Sequence, residues 1–174
     1  MDPPDDLLAS CRAGDREAFG RLFDLCRDRV YGIALGLCGD PTTAADVSQE
    51  VFMKLLTRIT QFEGRAAFAT WLYRMVVNTT VDHQRASRRN VQLSEALVDT
   101  RRHDHDFERA ERKERVERAV QSLPAKLRAP LVLRHVEGLA YSEIAKVLGV
   151  SAGTVASRLS RAHTRLSREL AGDM

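Results

Sequence analysis

The sequence predicts an all-α fold, and three observations carry that prediction. Apolar residues recur at steps of three and four through most of the chain. No run of alternating β-branched residues appears, and the five prolines fall near the edges of the periodic runs. With 174 residues and 44% hydrophobic content, the chain can build one large domain or two small ones. The periodicity lapses between Arg88 and Asp106, where RRNVQLSEALVDTRRHDHD carries scattered apolar residues and many charges. This stretch reads as a flexible linker joining two small helical domains.

The elements follow in order. Between Glu17 and Leu37, the residues Phe19, Leu22, Phe23, Cys26, Val30, Ile33, Ala34 and Leu37 mark one helix face, which Gly39-Asp40-Pro41 ends. Val47, Val51, Phe52, Leu55 and Ile59 mark a second helix from Ala44 to Thr60, closed by the loop FEGRAAF. Phe68, Leu72, Met75, Val76 and Thr79 mark a third, from about Ala67 to Arg89, and three such helices enclose one core. Beyond the linker, Val116, Val120 and Leu123 resume the period, with the i,i+4 pairs Glu108/Arg112, Glu111/Arg115 and Glu114/Arg118. Pro124 and Pro130 then divide the chain into short helices, Pro130 either starting one or kinking one.

The charge is uneven. Residues 1–90 hold twelve basic and twelve acidic side chains, residues 91–114 five and seven, and residues 115–174 ten and five. The last third is the basic part, as expected of a module that approaches phosphates. Cys11, Cys26 and Cys38 have no CxxC spacing, so neither a disulfide framework nor a zinc site is indicated, and a reducing cytoplasm fits. The acidic start MDPPDD lacks an apolar leader core, and no apolar run approaches a membrane span, so no membrane insertion is expected. The tract from His103 to Asp106 is read as solvated linker, not as a metal site.

The most informative stretch is LGVSAGTVASRLSRAHTRL, Leu148 to Leu166. Tyr141, Ile144, Ala145 and Leu148 make the apolar face of a short helix, Gly149 permits a tight turn, Val150 plugs the core, and Ser151 can cap the next helix. This is helix-turn-helix grammar. On the second helix Val155, Leu159, Ala162 and Leu166 share one side, while Thr154, Arg158, Arg161 and Arg165 cluster on another flank. Guanidinium groups so arrayed can bind guanine edges or clamp phosphates, with Thr154 and Ser157 reaching backbone oxygens. The plainer reading is a solvated helix face.

Two other classes compete. A dimeric helix-turn-helix repressor or activator explains the arginine row, but not the features of the first ninety residues. An enzyme has only Asp46/Glu50 and the HDHD tract as candidates, without a paired base, nucleophile or metal spacing, so no catalytic residue, metal or cofactor is expected.

The segment SLPAKLRAPLVLRHVEGLAYSEIAKVLGVSAGTVASRLSRAHTRL closely resembles region 4 of extracytoplasmic-function sigma factors. AGDREAFGRLFDLCRDRVYGIALGLCGDPTTAADVSQEVF, followed by FEGRAAFATWLYRMVVNTTVDHQRASRR, resembles region 2 of the same family. The resemblance implies region 2 over residues 1–90, a linker over 91–106 and region 4 over 107–174. It implies a dissociable initiation subunit of bacterial RNA polymerase, which reads the minus-thirty-five element as duplex and opens the minus-ten element as single strand. Its partners would be core RNA polymerase, promoter DNA and a cognate anti-sigma factor, all in the cytoplasm.

On the third helix Arg74, Asn78, Arg85 and Arg89 fall within about 60° of one another, with Trp71 at the border of the apolar face. Basic residues suit a strand backbone, an amide suits a base edge, and aromatics suit unstacked bases, although a border tryptophan is more often core. The resemblance implies that the loop Phe62, Glu63, Gly64, Arg65 and Ala66, with Asn78, forms the pocket for a flipped minus-ten base. It also implies that Asp46, Gln49, Glu50 and Met53, opposite the Val47/Val51/Leu55 stripe, dock on the clamp coiled coil of the polymerase's largest subunit.

A linker of roughly 18 residues extends to about 60 Å, nearly two turns of duplex. Three positions depart from the family pattern. Ala140 stands where a capping Ser is usual, at a cost of about 1 kcal/mol unless Ser142 substitutes. Ala156 stands where a basic residue is common, and His163 where an Arg is frequent. The minus-thirty-five contact therefore rests on Ser157, Arg158 and Arg161.

Overall fold

The computed structural model describes residues 2–91 and 107–171, and among these there is no strand. The helices are α1 (Asp5–Arg12), α2 (Arg16–Cys38), α3 (Pro41–Arg58), α4 (Phe68–Val91), α5 (Phe107–Ser122), α6 (Ala125–Val136), α7 (Tyr141–Leu148) and α8 (Ala152–Ala171), with a single 3₁₀ turn at Ile59–Gln61. The expected linker, the HDHD tract and the side chains of Arg89 and Glu108 lie outside what is described.

Local chemistry sets the boundaries. The Asp15 carboxylate accepts the N–H groups of Glu17 and Ala18 at 2.9 and 3.2 Å and so starts α2. Gly39, at φ 75°, ends it in the left-handed conformation that a side chain disfavours. Asp40 then accepts the Thr43 N–H at 2.6 Å, and Pro41 occupies the first turn of α3, where its missing donor costs nothing. The Thr43 hydrogen bonds hold the Asp40 carboxyl below its ordinary range.

Helices α2, α3 and α4 pack on one another around Leu22, Val30, Ile33, Val47, Val51, Leu55, Leu72 and Val76, all buried as their spacing requires. Phe23 departs from this pattern: it lies at the rim, its ring 4.5 Å from Phe52 and partly exposed. Helix α1 has no counterpart among the expected elements. Leu7, Leu8 and Cys11 bury its inner face against α2, and Asp2 accepts the Ala69 N–H at 2.7 Å, tying the chain start to the first turn of α4.

In the second half, α6 packs on α8 and α7 on α8 around Leu133, Ile144, Val155, Leu159 and Ala162. Pro130 lies inside α6, buried, and Pro124 precedes its first turn. On α5 Ala119 faces inward and Val116 is exposed, while Leu123, just past the end of the helix, is buried. On α7, Tyr141 is exposed beneath the Arg134 guanidinium, 5.8 Å from the ring centroid, and Val147 is buried in its place.

The two halves touch. Helix α6 packs along α2 and α7 packs along α4, so the buried apolar residues form one continuous cluster. Gly36 permits the first approach, because a Cβ there would meet Val132 at 2.8 Å. Arg128, only 8% exposed, donates to the Leu37 carbonyl at 2.6 Å, to the Gln121 carbonyl at 2.9 Å and to the Leu123 carbonyl at 2.9 Å. It also donates to the Gln121 side chain. The ends of α2 and α5 thus converge on one cation, where their dipoles favour positive charge.

Candidate nucleic-acid interface

The turn between α7 and α8 has the expected geometry. Gly149 sits at φ 65°, and its N–H and that of Val150 both reach back to the Ala145 carbonyl. Ser151 Oγ accepts the Thr154 N–H at 3.1 Å, which caps α8. At Ala140 the missing cap is replaced by Glu143 and not by Ser142: the Glu143 carboxylate accepts the Ala140 N–H at 2.7 Å, half of a capping box.

With Val155, Leu159 and Ala162 fixed inward, the neighbouring flank of α8 turns toward solvent. Arg161, Arg165 and Ser157 are exposed, while Arg158 and Thr154 are half-buried. Two of the hydroxyls have local partners: the Thr154 hydroxyl lies 2.9 Å from Ser151 Oγ, and the Ser157 hydroxyl donates to the Thr154 carbonyl at 3.0 Å. Ala156 is half-buried and His163 exposed, its ring 5.9 Å from that of His135 on α6. His163 therefore belongs to the flank that meets α6, away from the arginines.

The second cluster gathers at the start of α4. Phe62, 7% exposed, packs its ring 5.5 Å from Phe68 and 5.4 Å from Trp71, with the Arg12 guanidinium 5.6 Å from its centroid. Phe62 is thus a floor beneath the loop, unable to stack on a base without leaving the core, and Trp71 is half-buried beside it. Glu63, Gly64, Arg65 and Ala66 stand exposed above that floor, Gly64 at φ 73° and Arg65 bridging to Glu63 at 2.6 Å. Asn78 and Arg85 are exposed on the same α4 stripe. Arg74 is not free: its guanidinium donates to the Lys146 carbonyl and, at 3.4 Å, to the Val147 carbonyl at the end of α7.

On α3, Asp46, Gln49, Glu50 and Met53 are exposed together, one turn apart. Glu50 is paired with Lys54 at 2.7 Å, and Lys54 also donates to Thr79 at 3.0 Å, so the face is less acidic than its sequence suggests. It is also more apolar. Met53 is 58% exposed and Leu56 51%, next to the Phe23/Phe52 pair. Leu56 escapes the sequence reading, although it lies one turn beyond Phe52 and outside the buried stripe.

Other groups offer little chemistry. All three cysteines are free, and burial pushes the Cys26 and Cys38 thiols up to about 11. Among the described residues no cluster of three or more side chains suited to a metal occurs, and no helix is long and apolar enough to cross a membrane.

Residues 22–90 match the family Sigma-70 region 2, and residues 113–166 match the family Sigma-70, region 4. The chain is 33% identical to the RNA polymerase sigma-H factor of Pseudomonas aeruginosa, covering 94% of this chain and 92% of that protein. It is 31% identical to the ECF RNA polymerase sigma-E factor of Escherichia coli, again covering 94% and 92%. Its fold is similar to that of CnrH, solved in complex with the cytosolic domain of CnrY, with a TM-score of 0.74, 27% identity and 97% of each chain covered. Two separate matches in the order that the two helical halves follow, with identity spread along nearly the whole length, lead to one conclusion: the chain belongs to the extracytoplasmic-function sigma factors, which direct initiation by bacterial RNA polymerase.

Proposed function

We propose that the chain divides promoter recognition between its halves, residues 1–90 reading and opening the minus-ten element and residues 107–174 reading the minus-thirty-five element as duplex. The observation that carries this is the separation on α8 of a buried Val155/Leu159/Ala162 side from an exposed flank with Arg161 and Arg165. A helix held from behind by its own core, and started at a capped turn, offers its donors to a groove without rearrangement. Arg158, Arg161 and Arg165 serve as base or phosphate donors there, and Ser157 and Thr154 as shorter contacts.

In the first half, Asn78 and the loop Glu63–Ala66 form a pocket for one unstacked base. Arg85 and Arg74 track the strand, and Trp71 and Phe62 support the loop from below. The α3 face of Asp46, Gln49, Glu50 and Met53, extended by Leu56, docks on core polymerase. The chain supplies recognition, the polymerase the chemistry, and no catalytic role falls to residues of this chain. By its similarity to CnrH, which was solved with CnrY, the chain also takes a cognate anti-sigma factor as partner.

Runoff transcription with core polymerase tests the reading. Specific starts, lost when either promoter element is scrambled, are expected. Specific repression without initiation would replace this reading by that of an operator-binding regulator.

A further inference from the structure

Helix α4 begins at a residue that cannot cap it. Ala67 stands in the capping position, and its methyl group accepts no hydrogen bond from the first N–H groups of the helix. The acceptor comes from far away in sequence: Asp2 Oδ1 accepts the Ala69 N–H at 2.7 Å, across 67 positions. A carboxylate there also meets the positive end of the helix dipole.

The opposite end of the same loop is held from the same segment. Phe62, where the 3₁₀ turn ends, is 7% exposed and packs on Phe68 and Trp71, and the Arg12 guanidinium lies over its ring, 5.6 Å from the centroid. Arg12 belongs to the last turn of α1, and Asp2 stands just ahead of that helix. Between them Leu7, Leu8 and Cys11 are buried and seat α1 on α2, and Pro3 is buried as well. One anchored segment thus brings an anion to the end of the loop and a cation to its start. Residues 63–67 between these anchors are all exposed, and the Glu63/Arg65 ion pair is internal to the loop. The path of the loop is therefore set by its two ends, and fixing both removes conformations that base capture would otherwise have to remove.

We propose that Asp2 and Arg12 are positioning residues for the minus-ten loop, the first by capping α4 and the second by holding Phe62 beneath it. Neither touches DNA in this arrangement; each acts through the loop. The brace stands on its own contacts, while its effect on base reading rests on the base-pocket reading above.

Hydrogen exchange on the full chain and open-complex formation by the holoenzyme test the two parts. In Asp2→Ala the amides of residues 62–69 should exchange about fivefold faster, the factor that one lost helix cap represents, with α2, α3 and α8 unchanged. The ratio of opening rates on promoters with preferred and with substituted minus-ten bases should fall by about the same factor. Affinity for core polymerase and for minus-thirty-five duplex should hold. Asp2→Asn, which keeps the accepting oxygen, should restore both readouts. Unchanged exchange in Asp2→Ala overturns the brace, and Asp2→Asn as poor as Asp2→Ala overturns the cap. An equal loss on every promoter, with the ratio intact, overturns the positioning role. If Asp2→Ala loses helicity, Arg12→Gln, at an exposed position, is read in the same way. If Asn78→Ala lowers the ratio while Asp2→Ala frees the loop without lowering it, the positioning role alone fails. If neither lowers it, the base-pocket reading fails and the brace stands as a contact of the fold.

Discussion

Ser151 Oγ accepts the backbone N–H of Thr154 at 3.1 Å and lies 2.9 Å from its hydroxyl. One side chain thereby satisfies the first turn of α8 and holds a candidate DNA contact in place. Ser151→Ala should cost about 1 kcal/mol of stability, read by urea denaturation. Binding to minus-thirty-five duplex should weaken as well, because Thr154 loses its tether.

Arg161 is exposed on α8, off the buried side that carries Leu159 and Ala162, and its removal uncovers no buried side chain. Arg161→Ala should weaken promoter binding and lower the slope of log affinity against log salt by about 0.9 for each phosphate left without its cation. Affinity for core polymerase should stay the same. A fluorescence titration at several salt concentrations separates the two effects.

Asn78 is exposed on α4, one turn beyond Arg74. Asn78→Ala should leave duplex binding intact but reduce strand opening, with base discrimination lower by about 1–3 kcal/mol. Permanganate reactivity of unpaired thymines in the minus-ten element reads this directly. Unchanged opening on every promoter would remove Asn78 from the pocket.

On α3 the structure ranks substitutions that the sequence treats alike. Glu50 already has Lys54 at 2.7 Å, whereas Met53 is 58% exposed, one turn from the exposed Leu56. Met53→Ala should lower core polymerase affinity by about 1 kcal/mol or more, as for an apolar anchor at an interface. Asp46→Ala should lower it too, and Glu50→Ala less than either, all measured by competition against a labelled wild-type chain.

Burial pushes the Cys26 and Cys38 thiols from an ordinary value near 9 to about 11, and Tyr73 is also raised, first by burial and then by its bond to Glu137. Each of these groups keeps its proton longer when folded than when unfolded. Their contribution is therefore full below about pH 9 and declines as pH rises toward 11. Urea midpoints across that range should fall, and Cys26 and Cys38 should react slowly with a thiol reagent at about pH 8 until the chain unfolds.

The helices and the turn around Gly149 are legible because each depends on neighbours in sequence: a period of three to four, a cap, a glycine. The same logic yields the inward residues of α3 and α4 and the arginine flank of α8. It fails where a distant partner decides. Val147 is buried and Tyr141 exposed in a half where α7 also packs on α4, and no local signal announces that contact. Phe62 reads as part of a binding loop and is instead its floor, because Phe68 and Trp71 come round to meet it. The α1 helix escapes notice because it is short and acidic at its start, although the spacing of Leu7, Leu8 and Cys11 carries the signal.

The unbroken run of buried side chains from Leu7 through Leu133 to Ala162 determines how the chain melts. While α2 and α6 remain in contact, neither half can lose its interior without exposing part of the other's, so heating should yield one endotherm. Gly36→Leu, whose side chain would collide with Val132 and part α2 from α6, should show two. Calorimetry thus reports whether the two ends of the molecule share a common fate.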